Sequence, residues 1–294
     1  MYKAKRTGGG TAVYDRESER SNAQRLSLAT DLERAIGSGE LRLAYQPILD
    51  IETRRIDRVE ALVRWQHPNL GLLPPKEFVD LAALSGVIRP LTSWVITRGL
   101  TQAAEWRSMG IDLAVSVNLS AHNLFELELP TLIAEQLRAL GLAGDVLTVE
   151  ISEAELMDDP RAALEAVGQM RAFGVRTSID DFGTGASSLG TLQDLPINEI
   201  KIDRSFIAKL DGTNADATIV RSIADLGRNL GIDVVAEGVQ SGDALSVVSK
   251  LGCRFAQGYH IGPPMSAGAV GLVAAATQEP ARATIDIREG PSDA

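Results

Sequence analysis

Eight short apolar, β-branched runs recur along the chain, at Leu43–Pro47, Val59–Trp65, Leu113–Leu119, Val146–Ile151, Val175–Asp180, Asn198–Ile202, Ile232–Ala236 and Cys253–Gln257. Most are separated by stretches whose apolar residues step by three and four, the period of one helix face. Leu132, Ile133, Leu137 and Leu140 form one such stripe, Ile219, Ile223, Leu226 and Leu230 another, and Leu164, Val167 and Met170 a third. Strands alternating with helices predict parallel βαβ units, and eight of them favour a closed, TIM-like (β/α)8 barrel of the α/β class over an open sheet. A chain of 294 residues accommodates such a barrel, which fills about 200–250 residues as one unit. The first run is the weakest, and Pro74-Pro75 predicts an irregular connection after the second.

The flanks read differently. The turn Gly8-Gly9-Gly10 followed by Thr11-Ala12-Val13-Tyr14 suggests a helix end, a turn and one strand without a partner of its own. Glu17 to Ile36 is a charged helical stretch, and from about Thr277 the chain mixes Pro, Gly and charge without periodicity. The expected segments are 1–15 as the end of a preceding domain, 16–24 as a linker helix, 25–275 as the barrel and 276–294 as a mobile tail.

Charge narrows the function. With 29 basic and 39 acidic residues the net charge is −10, which disfavours gripping long nucleic acid or an anionic membrane through the general surface field. A phosphate-bearing ligand then needs a local device such as a metal ion. The single cysteine, Cys253, excludes an internal disulfide framework and a Cys-rich zinc site. No apolar run approaches the roughly 18 residues that span a bilayer. Basic residues near Met1 have no apolar stretch behind them, so they do not form a secretory signal. A reduced, cytoplasmic protein is expected.

In a (β/α)8 barrel the reactive groups sit where the strands end. Here Asn118, Glu150, Asp180-Asp181, Lys201, Glu237 and Gln257 close successive apolar runs, and Glu60 lies within the second. Strands commonly end in polar residues as they meet solvent, which accounts for any one of these. Five carboxylates from four strands with almost no basic neighbour are a different matter, because they repel one another unless protons or cations intervene. Hard divalent ions such as Mg²⁺ or Mn²⁺ prefer carboxylate and amide oxygens, and the absence of Cys or His at the strand ends disfavours zinc. The adjacent pair Asp180-Asp181 suits two ions about 3.5–4 Å apart. The residues alone therefore indicate metal-assisted hydrolysis or phosphoryl transfer and leave the substrate open. A one-metal carbon-acid enzyme of the enolase type also uses acids and a lysine in a barrel, but it would give the aspartate pair no purpose.

Glu60-Ala61-Leu62-Val63-Arg64-Trp65 resembles the signature of the EAL-domain family of cyclic di-GMP phosphodiesterases. The similarity extends through Tyr45-Gln46-Pro47-Ile48, Ser116-Val117-Asn118-Leu119-Ser120 and Glu150-Ile151-Ser152-Glu153. It continues through Asp180-Asp181-Phe182-Gly183-Thr184-Gly185, Lys201-Ile202-Asp203-Arg204-Ser205-Phe206, Val235-Ala236-Glu237-Gly238-Val239 and Gln257-Gly258-Tyr259, in family order across roughly residues 25–270. Residues 1–15 resemble the end of a GGDEF (diguanylate cyclase) domain without its signature, which implies a longer parent with that domain upstream.

The resemblance implies a first strand antiparallel to the rest and hydrolysis of cyclic di-GMP to linear 5'-pGpG with two Mg²⁺ or Mn²⁺ ions per site. By motif position Glu60, Asn118, Glu150 and Asp180 would hold one ion, and Asp180, Asp181 and Glu237 the other. Arg64 would contact a substrate phosphate, and Leu62, Gln46 and Asp203 the nucleotide. Glu153 would brace the loop after Asp181 and couple it to a homodimer interface. Lys201 would act as base, or orient the water together with Gln257. Ala83, Leu84, Ala186 and Gln240-Ser241 depart from the common pattern at positions that are not expected ligands. A catalytically weak receptor module for the same nucleotide is the alternative reading, although none of the mapped ligands is missing.

Several other features resolve into bland explanations. Asp181-Phe182-Gly183 mimics a kinase metal triplet without the accompanying motifs, and Gly8-Gly9-Gly10 lacks a phosphate-loop ending. His67, His122 and His260 share no ligand spacing. Cys253, Trp94 and Trp106 read as packing residues, and Trp65 as packing or pocket lining.

Overall fold

The structure is a computed structural model that describes residues 16–124, 126, 128–185, 189–210 and 215–278. The expected strand and turn before residue 16, the tail beyond Gln278 and Ala186 lie outside the described residues. Among the described residues nine strands form: β1 Leu41–Asp50, β2 Ile56–His67, β3 Gly71–Leu73, β4 Ala114–Asn118, β5 Leu147–Ser152, β6 Arg176–Phe182, β7 Glu199–Ile202, β8 Asp233–Ala236 and β9 Phe255–Gln257. Their hydrogen-bonded order is β1-β9-β8-β7-β6-β5-β4-β2, and a β1–β2 pairing closes the ring. This is an eight-stranded α/β barrel. β2 and β4 through β9 are parallel in sequence round the ring, whereas β1 pairs antiparallel with β9, Ile48 opposite Gln257. The weak alternation of the first run fits a strand that joins the ring in the other sense.

The ninth strand was not expected. β3 pairs antiparallel with the far end of β2, Trp65 opposite Leu73. Pro75 then starts a short 3-10 turn, Pro75–Glu77, where its missing N–H costs nothing. The chain divides into two compact units, one of residues up to Arg42 with Val63–Trp94, the other of Leu43–Leu62 with Val95 onward. Within the smaller unit, Trp65 is fully buried, packs edge-on against His67 and Phe78, and donates from Nε1 to Glu40 at 3.0 Å. It is a packing residue. His67 Nδ1 accepts from the Asn69 and Leu70 amides and so caps a turn.

In the larger unit the helices cover the ring with apolar residues, but not always those of the expected stripes, since Ile219 and Leu164 are exposed. The helix Ala215–Leu230 buries Val220, Ile223, Ala224 and Gly227. A Cβ at Gly227 would stand 2.3 Å from Val234 Cγ2, so glycine sets how closely this helix approaches β8. The helix Leu129–Leu140 ends on Gly141 at φ 64°, a left-handed cap that glycine adopts without strain. The helix Arg16–Ser38 runs unbroken past the expected boundary at 24, and Ala267–Gln278 runs past the one at 275. Gln278 Nε2 there donates to the Ile56 and Asp112 carbonyls, 2.8 Å each, which ties the helix end to the barrel. Cys253 is a buried core thiol pushed up to about 12 by its burial.

Candidate active site

Seven strand ends deliver polar side chains to one mouth of the barrel, and Lys201 on β7 stands at its centre, fully buried. Its Nζ lies 2.6 Å from Glu237 Oε1, 2.8 Å from Glu150 Oε2, 3.3 Å from Glu60 Oε2 and 3.8 Å from Asp180 Oδ1. Burial works against the ammonium. The charges of Asp180, Glu150, Glu237 and Glu60 outweigh it and hold Lys201 well above the ordinary lysine value. As an ammonium the lysine donates to these carboxylate oxygens.

Glu60 collects the remaining donors. Its Oε1 accepts from Asn118 Nδ2 at 2.8 Å, and its Oε2 from Gln257 Nε2 at 2.7 Å as well as from Lys201. Burial raises this carboxyl, but the Lys201 charge and the hydrogen bonds of Gln257, Asn118 and Lys201 reverse the effect and leave it below its ordinary value. Glu150 lacks such support. Burial, with the Glu60 and Asp180 charges adding to it, takes it well above its usual value against the pull of Lys201. Glu237 is raised to about 8 by burial, again against Lys201 and with Asp180 and Glu60 adding.

Adjacent residues in a strand point to opposite faces, so two neighbouring aspartates need a device to share one site. β6 supplies it. Its register with β7 shifts between Ile179 and Phe182, and Asp181 adopts φ 54°, a left-handed conformation that aspartate tolerates better than most residues. The Asp181 amide donates to Asp180 Oδ1 at 2.9 Å. Oxygens of Asp180, Asp181 and Glu237 consequently lie within 4.8 Å of one another, the one such acidic or His/Cys group among the described residues.

Asp203 caps the short helix Arg204–Ile207 through the Ser205 amide at 2.9 Å. Asp181 is raised by burial and by the Asp180 and Asp203 charges. Asp203 is lowered, since the Ser205 bonds outweigh its burial.

Below the rim, Ser152 and Glu155 form a capping box that starts the helix Glu153–Asp158 immediately after β5. This puts Glu153 on the first turn, buried, where its Oε2 accepts from the Gly183 and Gly185 amides at 2.8 and 3.2 Å. A Cβ at Gly185 would come within 2.9 Å of that carboxyl, so the loop needs glycine to approach it. Glu153→Gln replaces charge-assisted bonds worth about 1.5–3 kcal/mol. The expected result is a lower melting temperature and turnover reduced about tenfold, read by thermal denaturation and a product assay; an unchanged value in both would remove Glu153 from any role in the loop.

A cavity of about 350 Å³ opens over the acids, lined by Gln46, Glu60, Leu62, Asp180, Glu237, Gln257 and also Arg204, Gln240, Tyr259 and Pro264. Gln46 Nε2 donates to the Gly262 carbonyl at 3.2 Å and its Oε1 faces Gln257 at 3.4 Å. Glu60, Asn118, Glu150, Asp180, Asp181, Lys201, Glu237 and Gln257 are brought together as expected from the sequence, with Gln46 and Leu62 on the cavity wall. Arg64 is outside that lining, and its Nη1 donates to the Val63 carbonyl at 2.9 Å. Arg204 and Tyr259 lie within the motifs that carry the resemblance and Gln240 at a departure from it, none with an expected role, and Pro264 has no place in the sequence reading. They stand two to seven residues after the strand-end residues Lys201, Glu237 and Gln257, which is the signal that could have found them.

The donor set suits hard divalent cations. Every candidate ligand atom is an oxygen. Glu150 Oε1 is buried with no hydrogen-bond partner among the described residues, and the same holds for Gln257 Oε1. The Asn118 amide nitrogen is engaged by Glu60, which leaves its carbonyl oxygen as the remaining donor atom.

A closed barrel whose mouth joins acids, amides and one lysine gathers oxygen donors of the kind that hard divalent cations prefer. The EAL domain pattern matches residues 29–264, and the chain belongs to that family. It is 40% identical over 265 residues to an uncharacterized signaling protein of Caulobacter vibrioides, covering 90% of this chain and 32% of that protein. It is 39% identical over 269 residues to MucR of Pseudomonas aeruginosa, a bifunctional diguanylate cyclase/cyclic di-GMP phosphodiesterase, covering 91% of this chain and 39% of that protein. The chain thus spans well under two thirds of these relatives. A solved MucR phosphodiesterase in complex with cyclic di-GMP superposes with a TM-score of 0.79 at 39% identity, over 83% of this chain and 99% of that one. No helix among the described residues is long and apolar enough to cross a membrane.

Proposed function

We propose that this chain hydrolyses one phosphodiester of cyclic di-GMP, adding water at phosphorus and opening the ring to linear 5'-pGpG with two Mg²⁺ or Mn²⁺ ions. The observation that carries the reading is the single mouth in which Glu60, Glu150, Asp180 and Glu237 surround one lysine and Asp181 stands beside Asp180 and Glu237. Five carboxylates against one ammonium leave a formal excess of four negative charges, which two divalent ions would balance. Relatives of this sequence are phosphodiesterases of that nucleotide by name, and a solved one holds it.

Glu60, the Asn118 carbonyl, Glu150 and Asp180 would hold one ion, and Asp180, Asp181 and Glu237 the other. When bound, such ions make water a nucleophile near neutral pH and offset charge growing on the phosphoryl oxygens. The chain's own part is positioning. Gln257 is fixed to Glu60 through its nitrogen, so its free Oε1 can accept a proton-bearing partner and aim it. Lys201 as an ammonium donates and stabilises negative charge. Gln46, Leu62 and Asp203 would meet the nucleotide. The parent protein would carry a cyclase-type domain as MucR does, act as a homodimer whose interface senses the loop braced by Glu153, and reside in the cytoplasm.

The test is a product assay with cyclic di-GMP in Mg²⁺, Mn²⁺, Ca²⁺ or EDTA, on protein of known oligomeric state. Linear 5'-pGpG should form with Mg²⁺ and Mn²⁺ and not with Ca²⁺, whose looser coordination holds water poorly. Binding without product in either active metal would instead identify a receptor.

A second expectation concerns pH. Glu150 and Glu237 have raised folded values, so their contribution to stability is complete below the unfolded carboxylate range and is lost as pH rises towards about 8. Lys201, raised above the ordinary lysine value, and Glu60, lowered, contribute nearly constant amounts between pH 5 and 8. In EDTA the melting temperature should therefore fall over that window, and Mn²⁺ should raise it more at pH 8 than at pH 5. A flat metal-free profile would contradict this balance of charges.

A further inference from the structure

One residue pair inside the barrel belongs to none of the roles above. Arg58 on β2 and Glu199 on β7 are 8% and 1% exposed, and Arg58 Nη1 forms an ion pair with Glu199 Oε2. Each lies two residues before a member of the site on the same strand, Glu60 on β2 and Lys201 on β7. Residues two apart on a strand share a face, about 6.6 Å apart at ~3.3 Å per residue. The pair therefore forms a layer directly beneath the Glu60–Lys201 contact, with the polarity reversed. The cation lies under Glu60 and the anion under Lys201, so opposite charges are neighbours both across the lumen and along each strand.

The third strand repeats the pattern. Phe255 lies two residues before Gln257 on β9, and the Arg58 guanidinium sits 3.5 Å from the centre of its ring. Phe255 in turn packs with Ile48 and Val235 in the barrel core. Arg58, Glu199 and Phe255 thus form one cluster immediately below Glu60, Lys201 and Gln257, which form another.

Topology makes the lower cluster consequential. In the ring order, three strands separate β2 from β7 on either side, β4, β5 and β6 one way and β1, β9 and β8 the other. The two strands face each other across the lumen, and no backbone hydrogen bond joins them. Their cross-lumen ties are side-chain pairs, Glu60–Lys201 above and Arg58–Glu199 below. The upper tie competes with cations for the same carboxylate, while the lower tie has no such competitor.

We infer that Arg58 and Glu199 are positioning residues that hold β2 and β7 at the relative height placing Lys201 against the acids, above all when cations engage Glu60. The inference rests on the phosphodiesterase reading for its consequence in turnover, but not for its geometry.

Removing one partner would strand a buried charge, whereas replacing a buried pair with apolar residues of similar size is often neutral for stability. The decisive protein is therefore the full chain carrying Arg58→Met and Glu199→Met together, compared with the parent and with Glu199→Gln. The double variant should melt close to the parent. Its kcat for cyclic di-GMP should fall about tenfold to a hundredfold, the scale of a small misplacement of reacting groups, with KM within about threefold. Glu199→Gln, which keeps an acceptor for Arg58, should lose less.

The second readout needs no turnover. In ¹⁵N-lysine spectra the buried ammonium of Lys201 should give a slowly exchanging signal in the parent, in EDTA and in Mg²⁺, that broadens or vanishes in the double variant with Mg²⁺. A folded double variant with unchanged kcat and an unchanged Lys201 signal overturns the inference. Should the double variant fail to fold, Glu199→Gln decides by the same two readouts. A parent without hydrolysis would overturn the phosphodiesterase reading alone, and the ammonium signal would still decide this one.

Discussion

Exchanging Glu60 for glutamine is expected to lower cyclic di-GMP turnover about a thousandfold, the loss typical of removing one charge-stabilising group from a dry site. The shape of the side chain is kept, so the effect isolates charge and donor character. Three donors converge on the two oxygens of Glu60, from Asn118, Gln257 and Lys201. A glutamine offers one acceptor oxygen, and whichever way it turns, its NH₂ confronts a donor. That mismatch costs about 1–3 kcal/mol, which lowers the melting temperature by several degrees at roughly 2–4 °C per kcal/mol for a chain of this size. The barrel should remain folded. Turnover and thermal denaturation of the same preparation check both halves. If the variant keeps kcat within tenfold of the parent in Mg²⁺ and Mn²⁺, Glu60 is not a ligand and the assignment of the mouth is wrong.

Lys201→Met should produce the other large effect, a fall in turnover of about 10²–10⁴-fold, the range attached to a group that handles or stabilises a transferred proton. Its influence on stability should be as informative. Without the ammonium, Glu60, Glu150, Asp180 and Glu237 face one another with no positive charge within the distances now held by Nζ. They can relax only by taking up protons, so the metal-free variant should lose most stability at pH 8 and least near pH 5. Added Mn²⁺ should then raise its melting temperature by more than it raises the parent's. A variant indifferent to Mn²⁺ would mean that these carboxylates do not form a cation site.

Much of this arrangement could be read from residue types alone. The β-branched runs located all eight barrel strands, because a strand buried on both faces has no other composition available to it. The strand-end acids pointed to the mouth for the same reason: a carboxylate after an apolar run has nowhere else to go in this fold. Other features left no mark in the sequence. β3 is three residues long, too short for an alternation to register. The turn of Asp181 into the site depends on a register shift and a positive φ, and both are properties of strand pairing. Arg58 and Glu199 are 141 positions apart, and the chain gives no sign that their strands face each other. Gln278 sits in a segment without periodicity, yet its amide finishes the edge left by Ile56 and Asp112.

The ammonium of Lys201 is covalently part of the chain, so the ring of acids carries an internal counter-ion from the moment the strands close. A nascent molecule can reach its final shape before any mineral arrives, and starvation for magnesium or manganese would silence it without unfolding it. On the proposed two-ion reading, ion supply would then act on a finished scaffold, as a throttle that can be opened and shut repeatedly.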